Sequence, residues 1–329
     1  MKYYHIILFL AFLSLNTACA DKKHPVNFYY WKSKVSIEET EKKYFNELES
    51  NKLYIRFFDI DIDGTSINPK AKISLFDPTI LDAEYIPVIY ITNRTFFEMS
   101  DSENERLASK VYNLIDQICT KNSISQIHEI QIDCDWTQKT KDTYFAFLKN
   151  IKKISDKNIS CTIRLHQIKY KESTGVPPVD KGYLMCYATS DPTNSDEKNS
   201  ILDIPLLKDY TATINSFPLK FDIALPLYSW GIITNHLGQI KLINNVSQDS
   251  LNTSFFKKID NNLYEVQDDF FFQGIYVNKG FRLKIETISP QLLDEAKQYL
   301  DKKIDQDYSI VYYHLDKEFL RHFTIAELQ

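Results

Sequence analysis

The chain has 329 residues, of which 43% are hydrophobic and 25% are charged, enough apolar material for one large domain or two small ones. Its formal net charge of -5 argues against a nucleic-acid partner, because nucleic-acid binding needs a basic face. Only 7 glycines occur, and neither G-x-G-x-x-G nor a Walker loop is present. We therefore predict no nucleic-acid partner and no cofactor.

The first residues have the features of an export signal. Lys2 precedes an apolar run that is too short to cross a bilayer comfortably, and small residues follow it. Cys19 then resembles the lipidated cysteine of a bacterial lipoprotein. We expect a signal peptide over 1–19, a tether over 20–26, and a lipid on Cys19 that anchors an exported protein in the cell envelope. The alternative is simple secretion, since Ala18-Cys19-Ala20 also fits ordinary signal peptidase.

Apolar strand-like segments alternate with segments of helical period along the rest of the chain. The strand candidates are 27–31, 52–61, 85–92, 127–135, 159–166, 182–188, 220–230 and 308–315. Helices are predicted near 36–48 and over 101–120, 137–155, 201–216 and 290–303. Several strand candidates are apolar on both faces, as parallel strands covered by helices are. The alternation predicts a single α/β domain over 27–329, a (β/α)8 TIM barrel.

Two segments depart from this alternation. Residues 64–84 have no clear helical period where the second barrel helix is expected. Residues 232–286, between the seventh and eighth predicted strands, are polar at first and end in short aromatic segments. We predict that 232–286 forms a small β-rich insertion, with a lid over the barrel as one interpretation.

The remaining cysteines are predicted to be structural. They are Cys119, Cys134, Cys161 and Cys186, and no two of them have a metal-ligand spacing. Three lie inside predicted strands. We expect buried small hydrophobic side chains rather than a disulfide, and no metal site.

The fourth predicted strand carries the strongest functional signal. Its sequence over 130–136 is I-Q-I-D-C-D-W, which places Asp133 and Asp135 on the same side of the strand, followed by Trp136. The carboxyl ends of barrel strands form the ligand site. We predict that Asp133 and Asp135 are catalytic and that Trp136 stacks on a sugar. A structural alternative is that one aspartate pairs with a barrel arginine and the other caps the next helix.

The second predicted strand ends in three aspartates on one face, Asp59, Asp61 and Asp63. The string D-x-D-x-D-G opens like an EF-hand calcium loop, but Lys70 stands at the twelfth position, where a bidentate Glu is needed. We predict that Asp59 and Asp61 bind substrate. A calcium site of another type and ion pairs with nearby arginines are the alternatives.

The fifth, sixth and seventh predicted strands add five candidates. Arg164 and His166 share a face of the fifth strand, Tyr187 lies in the sixth, and Tyr228 and Trp230 lie in the seventh. Aromatic faces at a barrel mouth suit pyranose rings, so we predict that these residues contact a glycan or another small polar ligand. Core packing is the alternative for the aromatic residues, and a lone histidine is more often a satisfied polar residue.

Several of these segments resemble the corresponding strands of the family 18 glycosidases, which are chitinase-like (β/α)8 barrels. The segments are I-Q-I-D-C-D-W at 130–136, L-M-C-Y at 184–187, A-L-P-L-Y-S-W at 224–230 and V-Y-Y-H-L-D at 311–316. The chain is also similar to uncharacterised secreted bacterial proteins with glycosidase-like barrels that carry a comparable I-D-x-D strand. The resemblance implies a barrel fold and a glycan ligand.

The resemblance also exposes a missing residue. The family's fourth strand follows D-x-x-D-x-D-x-E, in which the final Glu is the general acid. Aligned here, the middle aspartates fall on Asp133 and Asp135, the first aspartate on Ile130, and the acid on Thr137. A threonine cannot protonate a glycosidic oxygen near neutral pH, because general acid catalysis needs a group with a pKa near that range.

Three hypotheses about function follow. The first is a glycoside hydrolase with an altered site, in which Asp135 works with a second carboxylate from Asp59, Asp61 or Asp222. The second is a non-catalytic carbohydrate-binding protein on a degenerate barrel. The third is a structural surface lipoprotein whose barrel binds no small ligand. The sequence leaves enzyme activity open, since barrel folds host many functions.

Overall fold

The computed structural model describes residues 23–64, 66–193, 199–252 and 254–329. The predicted signal peptide and Cys19 lie outside these residues. In chain order the strands are β1 (Val26–Tyr30), β2 (Lys52–Asp63), β3 (Ser66–Lys70), β4 (Glu84–Ile91), β5 (Glu129–Asp133), β6 (Asn158–Arg164), β7 (Lys181–Met185), β8 (Phe221–Pro226), β9 (Trp230–Thr234), β10 (Ile240–Asn244), β11 (Phe256–Lys258), β12 (Leu263–Val266), β13 (Phe270–Phe272), β14 (Ile275–Val277), β15 (Arg282–Glu286) and β16 (Ile310–Tyr313).

The helices alternate with the barrel strands. They are α1 (Glu39–Glu47), α2 (Asp101–Lys121), α3 (Lys141–Ser155), α4 (Leu165–Lys169), α5 (Lys171–Thr174), α6 (Ile204–Tyr210), α7 (Pro290–Lys303), α8 (Lys317–Leu320) and α9 (Ile325–Leu328). In the described part of the chain, no helix combines the length and the apolar character that a membrane span requires.

Eight parallel strands close into a barrel. Their order around it is β1, β16, β8, β7, β6, β5, β4 and β2, and β2 pairs again with β1. The predicted TIM barrel is therefore confirmed, with every strand candidate present. The seventh strand ends at Pro226 rather than at Trp230, which is instead the first residue of β9.

Helix α2 illustrates how local signals and packing combine. Ser100 caps its first turn, and the Glu103 side chain accepts a bond from the Ser100 backbone N–H in return. Leu107, Val111 and Ile115 recur at helical spacing and are buried. Each such side chain contributes about 2 kcal/mol when it leaves water, so the apolar stripe holds the helix against the barrel.

The two irregular segments have distinct structures. Residues 64–84 contain the return strand β3, which pairs antiparallel with β2, and a single 3₁₀ turn at Pro78–Ile80. Between β8 and β16, five strands form an antiparallel sheet in the order β10, β9, β15, β12 and β11, and β13 pairs with β14 as a separate hairpin. The insertion buries its own small core, which includes Val246, Val266 and Leu283. The predicted β-rich insertion is confirmed.

The cysteines of the described residues are structural. Cys119, Cys134, Cys161 and Cys186 are all buried, and all are free thiols. Burial raises the pKa of the Cys119 thiol to about 11, so this thiol stays protonated and unreactive at neutral pH. The expectation of buried small hydrophobic side chains is confirmed.

Candidate functional site

A cavity of about 590 Å³ lies among side chains at the carboxyl ends of the barrel strands. Seven of the predicted site residues line it, namely Asp59, Asp133, Asp135, Arg164, Tyr187, Tyr228 and Trp230. Trp31, Arg56, Tyr90, Met185, Tyr313 and His314 line it as well. The barrel therefore brings together side chains that are as much as about 280 positions apart in the sequence.

Asp135 is held by an arginine. The Arg164 Nε and Nη2 atoms donate to its two carboxylate oxygens over 2.5 and 3.0 Å. This two-point contact is the geometry in which an arginine binds a carboxylate most firmly. Both carboxylate oxygens of Asp135 thus accept hydrogen bonds from Arg164.

Asp133, the last residue of β5, has a different environment. Its side chain is buried and accepts a 2.6 Å bond from the Thr162 hydroxyl. Burial raises the pKa of Asp133 to about 6, and the neighbouring charge of Asp135 adds to the rise. The bond from Thr162 and the charge of Arg164 act in the opposite direction. Asp133 can therefore hold or release a proton near neutral pH.

Asp59 is the third carboxylate of the cavity, and it too is paired with an arginine. Arg56 Nε donates to Asp59 Oδ1 over 2.7 Å, and Arg56 Nη2 donates to Asp59 Oδ2. The Arg56 guanidinium also lies over the Trp31 ring, 5.5 Å from its centre. Each of the two arginines that line the cavity is thus paired with a carboxylate. Asp59 and Asp135 have the arginine partners that the alternative interpretation of the sequence gave them.

Aromatic rings form another part of the cavity lining, the aromatic wall. Tyr228 packs edge-on against Tyr187, Trp230 and Tyr313, with ring centres 5.9, 5.4 and 5.7 Å apart. The Trp230 Nε1 atom donates to Glu286 Oε2 over 2.8 Å, which fixes the indole through the last strand of the insertion. Rings held in this way present flat apolar faces beside the hydrogen-bonding carboxylates.

Trp136 does not belong to this wall, which corrects the prediction of a stacking role. It is completely buried, stacks on Tyr144 at 5.3 Å and donates from Nε1 to the Thr174 carbonyl over 2.9 Å. The strand alternation accounts for this position. Trp136 has the opposite parity to Asp133 and Asp135, so it faces the helices rather than the barrel interior.

Asp61 and His166 are likewise absent from the cavity lining. The Asp61 carboxylate is bound by Arg94 over 2.5 and 2.7 Å and by Lys70 over 3.1 Å, beside the hairpin of β2 and β3. These bonds, led by those from Arg94, lower the pKa of Asp61 well below its usual range. His166 is exposed in the short helix α4. Neither residue lies in the cavity with the other candidates, and their predicted substrate contacts stay predictions.

Thr137, at the position of the family's general acid, is exposed and does not line the cavity. Its backbone N–H donates to the Thr140 hydroxyl over 3.0 Å in the turn before α3. The residue thus supports a turn and offers no proton donor to the cavity.

Sequence reasoning missed several lining residues. Trp31 follows the end of β1 directly, and Tyr313 and His314 lie at the end of β16. Burial lowers the pKa of His314 to about 4, and the charge of Lys32 contributes, so the imidazole is neutral at pH 7. The signal in the sequence was their position at the end of a predicted strand. Polar and aromatic residues at the carboxyl end of a barrel strand lie at the mouth of the barrel.

No group of histidine, cysteine and acidic side chains within the described ranges is arranged to hold a metal ion. The carboxylates of Asp59 and Asp61, which open the calcium-like string, are instead bound to arginine side chains. The arrangement that remains is one of hydrogen-bond acceptors, neutralised arginines and flat aromatic faces, which suits a polar ligand with many hydroxyl groups.

No protein-family model matches the chain, and no curated protein matches it by sequence. Solved structures resemble it in fold. The Bacillus cereus spore cortex-lytic enzyme SleL has a TM-score of 0.56 at 16% identity, over 93% of this chain and 73% of that chain. A chitinase from Chromobacterium violaceum has a TM-score of 0.57 at 11% identity, over 93% of this chain and 98% of that chain.

A third structure contains a saccharide. A mutant of catalytic domain 2 of the Ostrinia furnacalis group II chitinase, in complex with penta-N-acetylchitooctaose, has a TM-score of 0.52 at 8% identity, over 93% of this chain and 95% of that chain. At such identities the likeness establishes the fold. The chain forms a TIM barrel like those of the family 18 glycosidases, as its strand motifs predicted.

Proposed function

We propose that this protein binds a glycan in the barrel cavity and does not cleave it by the route of the family 18 glycosidases. One observation carries the proposal: the aromatic wall around Tyr228 faces the same cavity as the carboxylates of Asp133 and Asp135. Aromatic rings cover the apolar faces of a sugar while carboxylates accept bonds from its hydroxyl groups. The chitinase complex with penta-N-acetylchitooctaose supports the choice of ligand class.

Two residues argue against cleavage by the route of the family 18 glycosidases. Thr137 replaces the carboxylic acid of the resembled family and lies outside the cavity lining. Asp135, the nearest carboxylate along the chain, has both of its oxygens bound by Arg164. Proton donation to a leaving-group oxygen needs a protonated group within reach, and neither residue supplies one.

The test is a binding and turnover experiment on the purified protein. N-acetylchitooligosaccharides and a panel of bacterial and host glycans are titrated by calorimetry, and released reducing ends are counted in parallel. We expect saturable binding without turnover, and affinity about tenfold weaker in Tyr228→Ala. Tyr170→Ala is the matched control, because Tyr170 is 52% exposed and lies outside the cavity lining. Absence of binding to every glycan, or equal binding by Tyr228→Ala, contradicts the proposal.

Glycoside hydrolysis by a different acid is the second candidate, and Asp133 favours it. A buried carboxyl with a pKa of about 6 resembles the general acids of other glycosidases, and Asp59 supplies a second carboxylate on another strand. Under this candidate, reducing ends accumulate with the native protein and not with Asp133→Asn. Turnover that persists in Asp133→Asn would exclude Asp133 as the acid.

The proposal includes export and anchoring through a lipid on Cys19. It is supported by the apolar N-terminal run and by the cysteine at its end. The test is metabolic labelling of the full chain in a bacterial host with a clickable fatty acid, followed by fractionation. We expect label and membrane association for the native chain and neither for Cys19→Ser. An unlabelled native chain in the soluble exported fraction would instead support simple secretion.

A further inference from the structure

The hairpin of β13 and β14 carries an exposed aromatic pair that the cavity does not use. Phe271 and Tyr276 are direct partners in the hairpin register. Their ring centres are 5.1 Å apart, and 72% and 52% of their surfaces are exposed. Neighbouring rings of this kind on a surface indicate a binding site, because exposed apolar area is otherwise selected against.

The folding of the hairpin does not require these two rings. Its other face supplies the apolar contacts: Phe270, Phe272, Ile275 and Val277 pack into the core of the insertion. Phe271 and Tyr276 point the other way, as the alternation along a strand dictates. Polar residues would serve equally well at both positions if the hairpin were only a structural element.

The pair is held in a fixed arrangement. Asp269 accepts a 2.8 Å bond from the Lys279 backbone N–H, which closes the base of the hairpin. That bond, followed by those from the side chains of Asn278 and Tyr276, lowers the pKa of Asp269. The two rings are thus carried by strands whose register and base are fixed by hydrogen bonds.

The hairpin lies next to the wall of the cavity. The Gln273 Nε2 atom, at the hairpin turn, donates to the Asn245 carbonyl over 3.3 Å. The Asn245 backbone N–H in turn donates to the Ser229 carbonyl over 2.9 Å. Ser229 and Asn244, the residue before Asn245, both line the cavity. Two hydrogen bonds therefore connect the turn of the hairpin to the cavity rim.

We propose that Phe271 and Tyr276 form a second glycan subsite, which binds a further unit of the same chain that enters the cavity. This inference rests on the proposed glycan ligand of the cavity. The charge of the hairpin segment favours a glycan over an anionic lipid surface. Residues 267–281 include two aspartates and one lysine, a net charge of -1. Membrane-binding segments are basic, whereas stacking on an uncharged sugar requires only the ring faces.

The experiment compares short and long ligands. N-acetylchitobiose, N-acetylchitohexaose and insoluble chitin are tested with the native chain, with the double variant Phe271→Ala/Tyr276→Ala, with Tyr228→Ala, and with the control Tyr170→Ala. We expect the double variant to bind the disaccharide like the native chain and to bind the hexasaccharide and the polymer about tenfold more weakly. Thermal unfolding of each variant verifies that it is folded.

The outcomes separate the two proposals. One outcome is that the native chain binds all ligands and the double variant binds the hexasaccharide and the polymer equally well. This outcome overturns the subsite and leaves the cavity proposal intact. Loss of polymer binding in the double variant, when Tyr228→Ala binds every ligand like the native chain, contradicts the cavity proposal and overturns a subsite that extends the cavity. Equal weakening on short and long ligands overturns the subsite. Sedimentation with vesicles of phosphatidylethanolamine and phosphatidylglycerol completes the test, since binding that depends on the pair would identify a lipid surface instead.

Discussion

Arg164 and Asp135 form a two-point ion pair across neighbouring strands, with N–O distances of 2.5 and 3.0 Å. The pair lies at the rim of the cavity, where 27% of the arginine side chain and 41% of the aspartate side chain are exposed. It distinguishes two carboxylates that are two residues apart. Asp135 gives both oxygens to Arg164, while burial raises the pKa of Asp133 to about 6.

Removal of the arginine should destabilise the protein. We expect Arg164→Ala to lower the free energy of unfolding by about 2 kcal/mol, between the values for exposed and buried pairs, because Asp135 is left uncompensated beside Asp133. Asp135→Asn in the same chain should restore part of the loss. Urea unfolding measures both effects. Arg94→Ala is the control, since Arg94 pairs with Asp61 but has 60% of its side chain exposed, and it should cost under about 1 kcal/mol.

Asp133 should make stability depend on pH. A carboxyl whose pKa rises on folding from about 3.9 to about 6 is ionised in the unfolded chain before it is ionised in the folded one. Its favourable contribution is complete below the lower pKa and is lost as pH rises through the higher one, a change of about 3 kcal/mol. Asp133→Asn removes the titration and can still accept the Thr162 bond.

The variant should therefore be more stable than the native chain at pH 7.5, with a difference that disappears near pH 4. Thermal unfolding at a series of pH values measures it. The exposed Asp116 provides the control, because Asp116→Asn leaves a fully hydrated position and should alter stability by under about 0.5 kcal/mol at either pH. A pH-independent difference for Asp133→Asn would show that the carboxyl is not perturbed.

The two tryptophans of the candidate strands should separate stability from binding. Trp136→Phe removes a buried hydrogen bond to Thr174 and part of a packed ring, so we expect a loss of about 2 kcal/mol in unfolding free energy with unchanged glycan affinity. Trp230→Ala removes a cavity wall and should weaken glycan binding about tenfold. Calorimetric titration and urea unfolding of both variants check this. Weaker glycan binding by Trp136→Phe together with unchanged binding by Trp230→Ala would indicate that Trp136 stacks on the sugar.

Calcium should not stabilise the protein. The carboxylates of Asp59 and Asp61 are bound by Arg56, Arg94 and Lys70, so a cation entering the D-x-D-x-D string would have to displace these partners. We expect the unfolding temperature in millimolar calcium chloride to equal that in EDTA within about 1 °C. A rise of several degrees in calcium would establish a site of another type than the EF-hand.

The second strand shows what residue spacing along a strand can and cannot predict about a site. Asp59 and Asp61 share a face, as the alternation requires, but two residues advance a strand by about 6.6 Å. That advance carries Asp61 beyond the cavity to the hairpin with β3, where Lys70 and Arg94 bind it. The sequence predicted that both side chains lie on one face of the strand and offered nearby arginines as alternative partners. Which partner binds each carboxylate depends on where β3 returns and on the loop after β4.

The sequence by itself determined the barrel, the β-rich insertion and the common side of Asp133 and Asp135, because periodicity is a local property of the chain. Continued past the end of β5, the same alternation also places Trp136 on the side away from Asp133 and Asp135, where it is buried. Only the tertiary structure decided which carboxylate is paired with Arg164 and that Trp31, Tyr313 and His314 meet in the cavity. Closure of the barrel brings these distant residues together, and their contacts then set charge, burial and access.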